Sequence, residues 1–169
     1  MAFVLRDARP GDGRRLEQVR VAGWHAAYAA ILDPDWLAGL TVTEERVAVW
    51  EGRLADPAPG SVALVCEDKD VVTALAVLLP SRDDDAPDAA ELAALYVEPS
   101  LRRTGRGSAL LTAGFARMPQ ALQTLWVLAG NDPARAFYER HGFAADGRIK
   151  ELDAPGRPAE LRYRRARLA

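Results

Sequence analysis

The segment Val97-Glu98-Pro99-Ser100-Leu101-Arg102-Arg103-Thr104-Gly105-Arg106-Gly107-Ser108-Ala109-Leu110-Leu111 packs three arginines into five positions beside two glycines. A strand-like run ends at Val97, a basic turn follows, and an apolar helical pattern opens after Gly107. That order suits the capture of an anion. The first turn of a helix offers unpaired backbone N–H groups and a partial positive charge, and glycine lets the backbone approach a bound group closely. A phosphate ester is the natural ligand of such a turn. Two familiar phosphate loops do not fit. The Walker A pattern Gly-x-x-x-x-Gly-Lys-Ser/Thr is absent, and the third glycine of a dinucleotide fingerprint would fall on Leu110. From this stretch alone, a surface turn with solvated arginines stays open as the alternative.

Such a turn needs elements to position it, and hydrophobic periodicity supplies them. Residues 3–6 read as a strand stopped by Pro10-Gly11. A helix follows the N-cap Asp12, with Leu16, Val19, Gly23, Ala26 and Ala27 at helical spacing, and Pro34 closes the region. Residues 43–54 read as a second helix. Thr43 caps it, Arg46 stands where a capping-box glutamate would, and Val47 and Trp50 form its apolar side. Residues 62–67 and 71–79 form a hairpin across Asp68-Lys69-Asp70. The loop from Pro80 to Asp88 carries Asp83-Asp84-Asp85. This acidic run could attract a cationic amine or simply be solvated. Residues 92–97 form a strand, and residues 107–118 a helix whose stripe is Leu110, Leu111, Gly114, Phe115 and Met118. Residues 124–128 form another strand. Pro133 opens a short helix that ends at Gly142, and residues 160–167 form a last strand. The order β, α, α, β, β, β, α, β, α, β predicts a mixed α/β or α+β sheet.

Length and composition set bounds on what these elements can be. A chain of 169 residues fits one domain, 1–169, with a sizeable core. Its 49% hydrophobic and 27% charged residues are ordinary for a globular protein. A formal charge of −2 gives no overall basic field for nucleic acid or an anionic membrane. Arginines cluster locally at 102, 103 and 106 and again at 162, 164, 165 and 167, and such a cluster can hold a small polyanion. The single cysteine, Cys66, excludes an intramolecular disulfide and fits a reducing compartment. Inside Val62-Ala63-Leu64-Val65-Cys66 it reads as a small buried hydrophobe. Arg6, Asp7 and Arg9 interrupt any apolar leader, and no apolar run approaches the ~20 residues of a membrane span. A cytoplasmic, soluble protein is expected. With His25 and His141 as the only histidines, no metal site is expected.

Arg102-x-x-Gly105-x-Gly107 resembles the (Gln/Arg)-x-x-Gly-x-(Gly/Ala) motif of the GCN5-related N-acetyltransferase (GNAT) superfamily. Val97-x-Pro99 before it and Ala109-Leu110-Leu111 after it match the usual surroundings. Downstream, Asn131-Asp132-Pro133-Ala134-Arg135-Ala136-Phe137-Tyr138-Glu139-Arg140-His141-Gly142-Phe143 is similar to the family's Asn-x-x-Ala-x-x-Phe-Tyr-x-x-x-Gly-Phe segment. Trp24-His25-Ala26-Ala27-Tyr28, followed by Ile31-Leu32, resembles one bacterial branch that acetylates small molecules or proteins. The element order matches along nearly the whole chain. Arg103 stands where glycine is common and Arg106 where an apolar residue is common; both add positive charge. Thr73-Ala74 occupies a strand position where the family often has glycine.

The resemblance implies a central mixed, mostly antiparallel sheet of six to seven strands, with splayed parallel strands and about four flanking helices. It implies acetyl-CoA as cosubstrate, lying where the parallel strands part. Backbone groups of Leu95, Tyr96 and Val97 would pair with the pantetheine arm, and one N–H there would polarise the thioester carbonyl. Arg102, Arg103, Thr104, Gly105, Arg106, Gly107 and Ser108 would hold the pyrophosphate. Asn131 would help hold the cofactor arm, cap the following helix, or both. Tyr138 is the expected general acid for the leaving thiolate; on periodicity alone it would be a packing aromatic. A free amine of pKa ~10 is protonated near neutrality, so a base is also expected. Glu91 is the candidate. Simple alternation places it on one strand face with Ala93, Leu95 and Val97, where an apolar setting would raise its pKa; a solvent-facing strand-end glutamate is the alternative. Trp24, Tyr28 and Trp36 would line the acceptor site or serve as core aromatics. Cys66 is not expected to act as a covalent relay. The implied activity is acetyl transfer to a primary amine by direct attack in a ternary complex. A non-catalytic CoA-binding regulatory domain is the alternative. The implied partner is a small-molecule or peptide amine, with no nucleic acid and no membrane. A homodimer is common in the family.

Overall fold

Lys69 and Asp70 both adopt positive φ, 50° and 63°, and so form the tight turn that suits a two-stranded hairpin. That hairpin, β2 (Val62–Asp68) and β3 (Val71–Pro80), belongs to a seven-stranded sheet in a computed structural model that describes residues 3–166. The other strands are β1 (Val4–Asp7), β4 (Ala89–Val97), β5 (Leu122–Leu128), β6 (Ala144–Glu151) and β7 (Ala159–Ala166). Their order is β1-β2-β3-β4-β5-β7-β6, and every pairing is antiparallel except β4 with β5. The expected mixed, mostly antiparallel sheet is therefore present.

Helices cover both faces. Helix α4 (Arg106–Ala116) and α5 (Asp132–Arg140) lie on one side. There Leu110, Leu111, Phe115 and Tyr138 pack on Ala74, Ala76, Leu78, Ala90 and Leu92. Helices α1 (Gly13–Tyr28) and α3 (Glu44–Ala55) lie on the other, where Leu16, Val19 and Trp50 meet Val65, Val72 and Leu75. Thr43 caps α3 as expected, its hydroxyl accepting from the Arg46 N–H at 3.3 Å. Five α-helices replace the expected four. The extra one is α2 (Pro34–Ala38), which Pro34 opens instead of merely closing α1. Strand β6 also escaped the residue-by-residue reading, because it is a largely exposed edge without an apolar face. Arg167 lies outside the described residues.

The two helices on that side, α1 and α3, are tied together by a buried charge. Glu17 is fully buried and accepts from Arg20 Nε at 2.8 Å, Arg20 Nη2 at 2.6 Å and Trp50 Nε1 at 2.8 Å. Burial alone would raise its pKa, but the hydrogen bonds from Arg20 and Trp50 prevail and hold the carboxyl below its ordinary value. A depressed carboxylate stabilises the fold fully above its unfolded pKa, here near 4.5, and that stabilisation drains away as pH falls through the lower folded value. Glu17→Ala strands Arg20 beside a cavity and should cost about 3 kcal/mol or more. Urea unfolding at pH 7 and below pH 4 checks this: the wild-type should lose stability on acidification, and the variant should lose less.

Candidate active site

Strands β4 and β5 pair only over Ala89–Leu92 and Leu122–Leu125. Beyond Leu92 a bulge intervenes. Leu78 faces Leu92 and Val77 faces Ala94, so Ala93 is an extra residue with no partner on β3. A bulge bends its strand and sharpens the local twist. Residues 93–97 of β4 therefore swing away from residues 126–128 of β5, and a gap opens in the middle of the sheet. Glu98 N donates to Thr73 O at 2.9 Å, which fixes the alternation of the upper strand. The N–H groups of Tyr96 and Glu98 face β3, and those of Leu95 and Val97 face the gap.

The basic turn stands at the top of this gap. Arg103 and Gly105 both take positive φ, 62° and 88°. Gly105 is the N-cap of α4 and supplies no side chain, so no cap side chain occupies the first turn. A Cβ built on Gly105 meets nothing within 4 Å, which leaves the approach to that turn open. The N–H groups of Arg106, Gly107 and Ser108 have no backbone acceptor in the helix. Arg102 and Arg103 are exposed beside them, Arg102 reaching Gly23 O at 3.5 Å.

The other polar side chains of the turn are engaged within the fold. Arg106 corrects the expectation most sharply. At the first position of α4 its side chain turns inward under the β2–β3 hairpin and is 1% exposed. It donates to Thr73 Oγ1 at 3.0 Å and Thr104 Oγ1 at 2.7 Å, and reaches Asp68 at 3.4 Å. Its guanidinium thus staples the hairpin to the turn and lends no direct charge to a phosphate outside. The Thr73 hydroxyl on β3 is the group that receives it. Ser108 Oγ is held by His141 Nε2 at 3.0 Å, which ties α4 to the end of α5. Among the described residues, Arg162 and Arg165 of the C-terminal cluster are likewise taken up within the fold. Arg162 is buried among Asp83, Asp85 and Asp146, while Arg165 lies over Phe143 and donates to Gln123 at 2.6 Å. The acidic loop is accordingly pinned to β7 by Asp83 and Asp85.

Around the gap stand three phenols. Tyr138, on α5, packs edge-on against Phe137 and Phe143, and its hydroxyl has no hydrogen-bond partner among the described residues. Burial pushes its pKa well up, as does the proximity of Tyr96. Tyr96 accepts from Trp24 Nε1 at 2.8 Å. Tyr28 meets Trp24 at 5.0 Å between ring centroids, and Trp36 lies at 6.1 Å from Trp24. Burial raises the Tyr28 pKa too, with Asn131 beside its hydroxyl offsetting part of the rise. Asn131 caps α5 through Oδ1, which accepts from Ala134 N at 3.3 Å. Trp24, Tyr28 and Trp36 thus form one aromatic wall on the α1–α2 side of the gap.

Glu91 sits on that side as well. This corrects the expected face: the bulge at Ala93 breaks the alternation, so Leu95 and Val97 turn toward α4 while Glu91 shares its side with Ala94 and Tyr96. Nor is Glu91 alone among apolar groups. Arg82 grips it through Nη2, and through its backbone N and Nε, both at 3.2 Å. A second carboxylate was missed from sequence. Glu160 on β7 pairs with Leu128 at the upper end of β5. Burial raises its pKa; Lys150, 3.8 Å away, opposes the rise and Glu91 reinforces it. Its only sequence signal was an acidic residue opening an arginine-rich strand. Because Arg106 is structural and Arg102 and Arg103 are not, Arg106→Ala should lower stability by about 2 kcal/mol or more. Arg102→Ala and Arg103→Ala should leave thermal unfolding within about 0.5 kcal/mol of wild-type.

Residues 25–143 match the family model described as "Acetyltransferase (GNAT) family". A Mycobacterium tuberculosis protein named "Probable N-acetyltransferase Rv2775" is 28% identical over 145 residues, covering 85% of this chain and 81% of the relative. The fold is shared with the PaiA N-acetyltransferase of Thermoplasma acidophilum, solved with coenzyme A. That match has a TM-score of 0.74 at 19% identity and covers 96% of this chain and 98% of the other. It is shared also with YncA of Salmonella typhimurium, solved with acetyl-CoA, at TM-score 0.71 and 18% identity over 100% of this chain and 97% of the other. With the family model spanning both the basic turn and the segment that carries Tyr138, this chain belongs to the GNAT acetyltransferase family.

Proposed function

We propose that the protein is an N-acetyltransferase that transfers an acetyl group from acetyl-CoA to a primary amine, small or peptide-borne, by direct attack with both substrates bound. One observation carries this reading: the open first turn of α4, the unpaired strand edge at Leu95 and Val97 and the partnerless Tyr138 hydroxyl border one gap. The cosubstrate's groups fit what stands there. Its pyrophosphate suits the N–H groups of residues 106–108 with Arg102 and Arg103 beside them, and its amide-bearing arm suits the β4 edge, where it would complete the missing strand pairing.

Acetyl-CoA supplies an activated acetyl group as a thioester. The chain supplies the rest. An N–H of Leu95 or Val97 directed into the gap would stabilise developing negative charge on the carbonyl oxygen. Tyr138 would give its Oη proton to the departing sulfur; its raised pKa keeps the phenol protonated and ready as a donor near neutrality. On the opposite side Glu91 and Glu160 would attract the ammonium form of the acceptor and take its proton, directly or through water, beside the wall of Trp24, Tyr28 and Trp36. Cys66 favours direct attack over a covalent relay. It is wholly buried, with its thiol pushed up to about 11, so thiolate at neutral pH is scarce.

Turnover assayed by thiol release against a panel of amines tests the proposal. Tyr138→Phe should lower kcat by about 10²-fold or more with CoA affinity unchanged. Glu91→Gln should lower kcat/KM for the amine with CoA affinity unchanged. Wild-type turnover in Tyr138→Phe would remove the phenol from the reaction. CoA binding without turnover of any amine would instead point to a regulatory CoA-binding domain.

A further inference from the structure

A cavity of about 700 Å³ lies against the sheet on the α1–α3 side, within the size range of small-molecule sites. One part of its lining is the β4 backbone at Ala93, Ala94 and Tyr96, where the strand leaves β5. Its apolar walls include Trp24, Trp50 and Leu54. Five arginines also line it: Arg20, Arg46, Arg53, Arg82 and Arg117. The only acid among its lining residues is Asp7, and Asp7 is paired with Arg117. Arg20 is satisfied by Glu17 beneath it, and Arg82 by Glu91. Two guanidinium groups are left over. Arg46 approaches Glu17 only at 3.8 Å, and that carboxylate is already filled by Arg20 and Trp50. Arg53 has no carboxylate partner among the described residues. Positions 46 and 53 are two helical turns apart and so share one face of α3, which both present to the cavity.

We propose that this cavity selects the acceptor: a small amine whose apolar body lies against Trp50 and Leu54 and whose carboxylate is held by Arg46 and Arg53. The inference rests on the acetyltransferase reading and names its substrate class. Charge is arranged in two zones. Beyond the lining, the Glu91 carboxylate, bonded to the cavity-lining Arg82, stands on the β4 side and suits the amino end. The spare arginines on α3 suit an anion at the far end of the same molecule. Guanidinium is the side chain best matched to a carboxylate, because its planar donors can engage both oxygens. An amine without an anionic group would forgo these charge-assisted bonds and gain only its apolar contacts.

The test compares 4-(aminomethyl)benzoate with 4-methylbenzylamine, which differ in the carboxylate. Both are titrated calorimetrically into CoA-saturated wild-type protein and into the Arg46→Ala/Arg53→Ala double variant. Both substituted positions are exposed on α3 and alanine suits a helix, so the variant should fold; its circular dichroism and its CoA affinity verify that. The expected result is that wild-type binds the carboxylate probe at least about tenfold more tightly, and that the double variant loses this preference with CoA affinity unchanged. Equal binding of the two probes, no binding of the carboxylate probe, or a preference that survives the double substitution would each overturn the proposal. Thiol release with amines outside this pair would show the acetyltransferase reading still standing in any of those cases.

Discussion

The structure depends on an incomplete strand pairing. β4 and β5 are the one parallel pair in an otherwise antiparallel sheet, and they are bonded over only part of their length. Buried backbone groups left unpaired are costly, so a sheet does not open in its middle without cause. Here the extra residue Ala93 bends β4 outward, and α1 accepts the bend by close approach: a Cβ on Gly23 would come within 3.1 Å of the Tyr96 ring. The gap thus has packed walls on both faces. It presents a strand edge with free hydrogen-bonding groups, and the first turn of α4 opens beside it.

The charged side chains divide by whether the fold uses them. Arg106 and Arg162 are among the most buried polar residues and serve as internal staples, one under the β2–β3 hairpin, the other holding the acidic loop to β7. Arg102 and Arg103 stay exposed at the turn. Arg46 and Arg53 stay exposed on α3. Burying an arginine requires partners for its donors, and both buried ones have them. The exposed ones have donors to spare, and they flank the two places where an anion would be held: the turn above the gap and the cavity below α3.

Much of this was legible in the sequence. The basic turn, the caps Thr43 and Asn131, the Asp68-Lys69-Asp70 hairpin and the apolar stripe of α4 are local patterns, and each appears where its residues placed it. Apart from helix α2, the errors were non-local. Simple alternation put Glu91 with Leu95 and Val97, and a single bulge, which depends on how β3 packs across from Ala93, reversed that. Arg106 looked like one more phosphate cation because its partners, Thr73 and Asp68, lie far away in sequence. Glu160 carried no motif, and its place beside the upper end of β5, within electrostatic reach of Glu91, follows from β7 inserting between β5 and β6. Charge clusters along the chain were a poor guide to charge clusters in space: Arg162 and Arg164 pair with acids while Arg165 lies over Phe143.

The central claim is that the gap and the α4 turn together hold coenzyme A by its pyrophosphate and its arm. It is tested most directly by calorimetric titration of the folded protein with coenzyme A and, separately, with pantetheine, which has the arm but no pyrophosphate. The account predicts saturable 1:1 binding of coenzyme A, with pantetheine weaker by about tenfold or more because it forgoes the charge-assisted bonds at the turn. Failure of the folded protein to bind coenzyme A, or equal affinity for the two ligands, would contradict it.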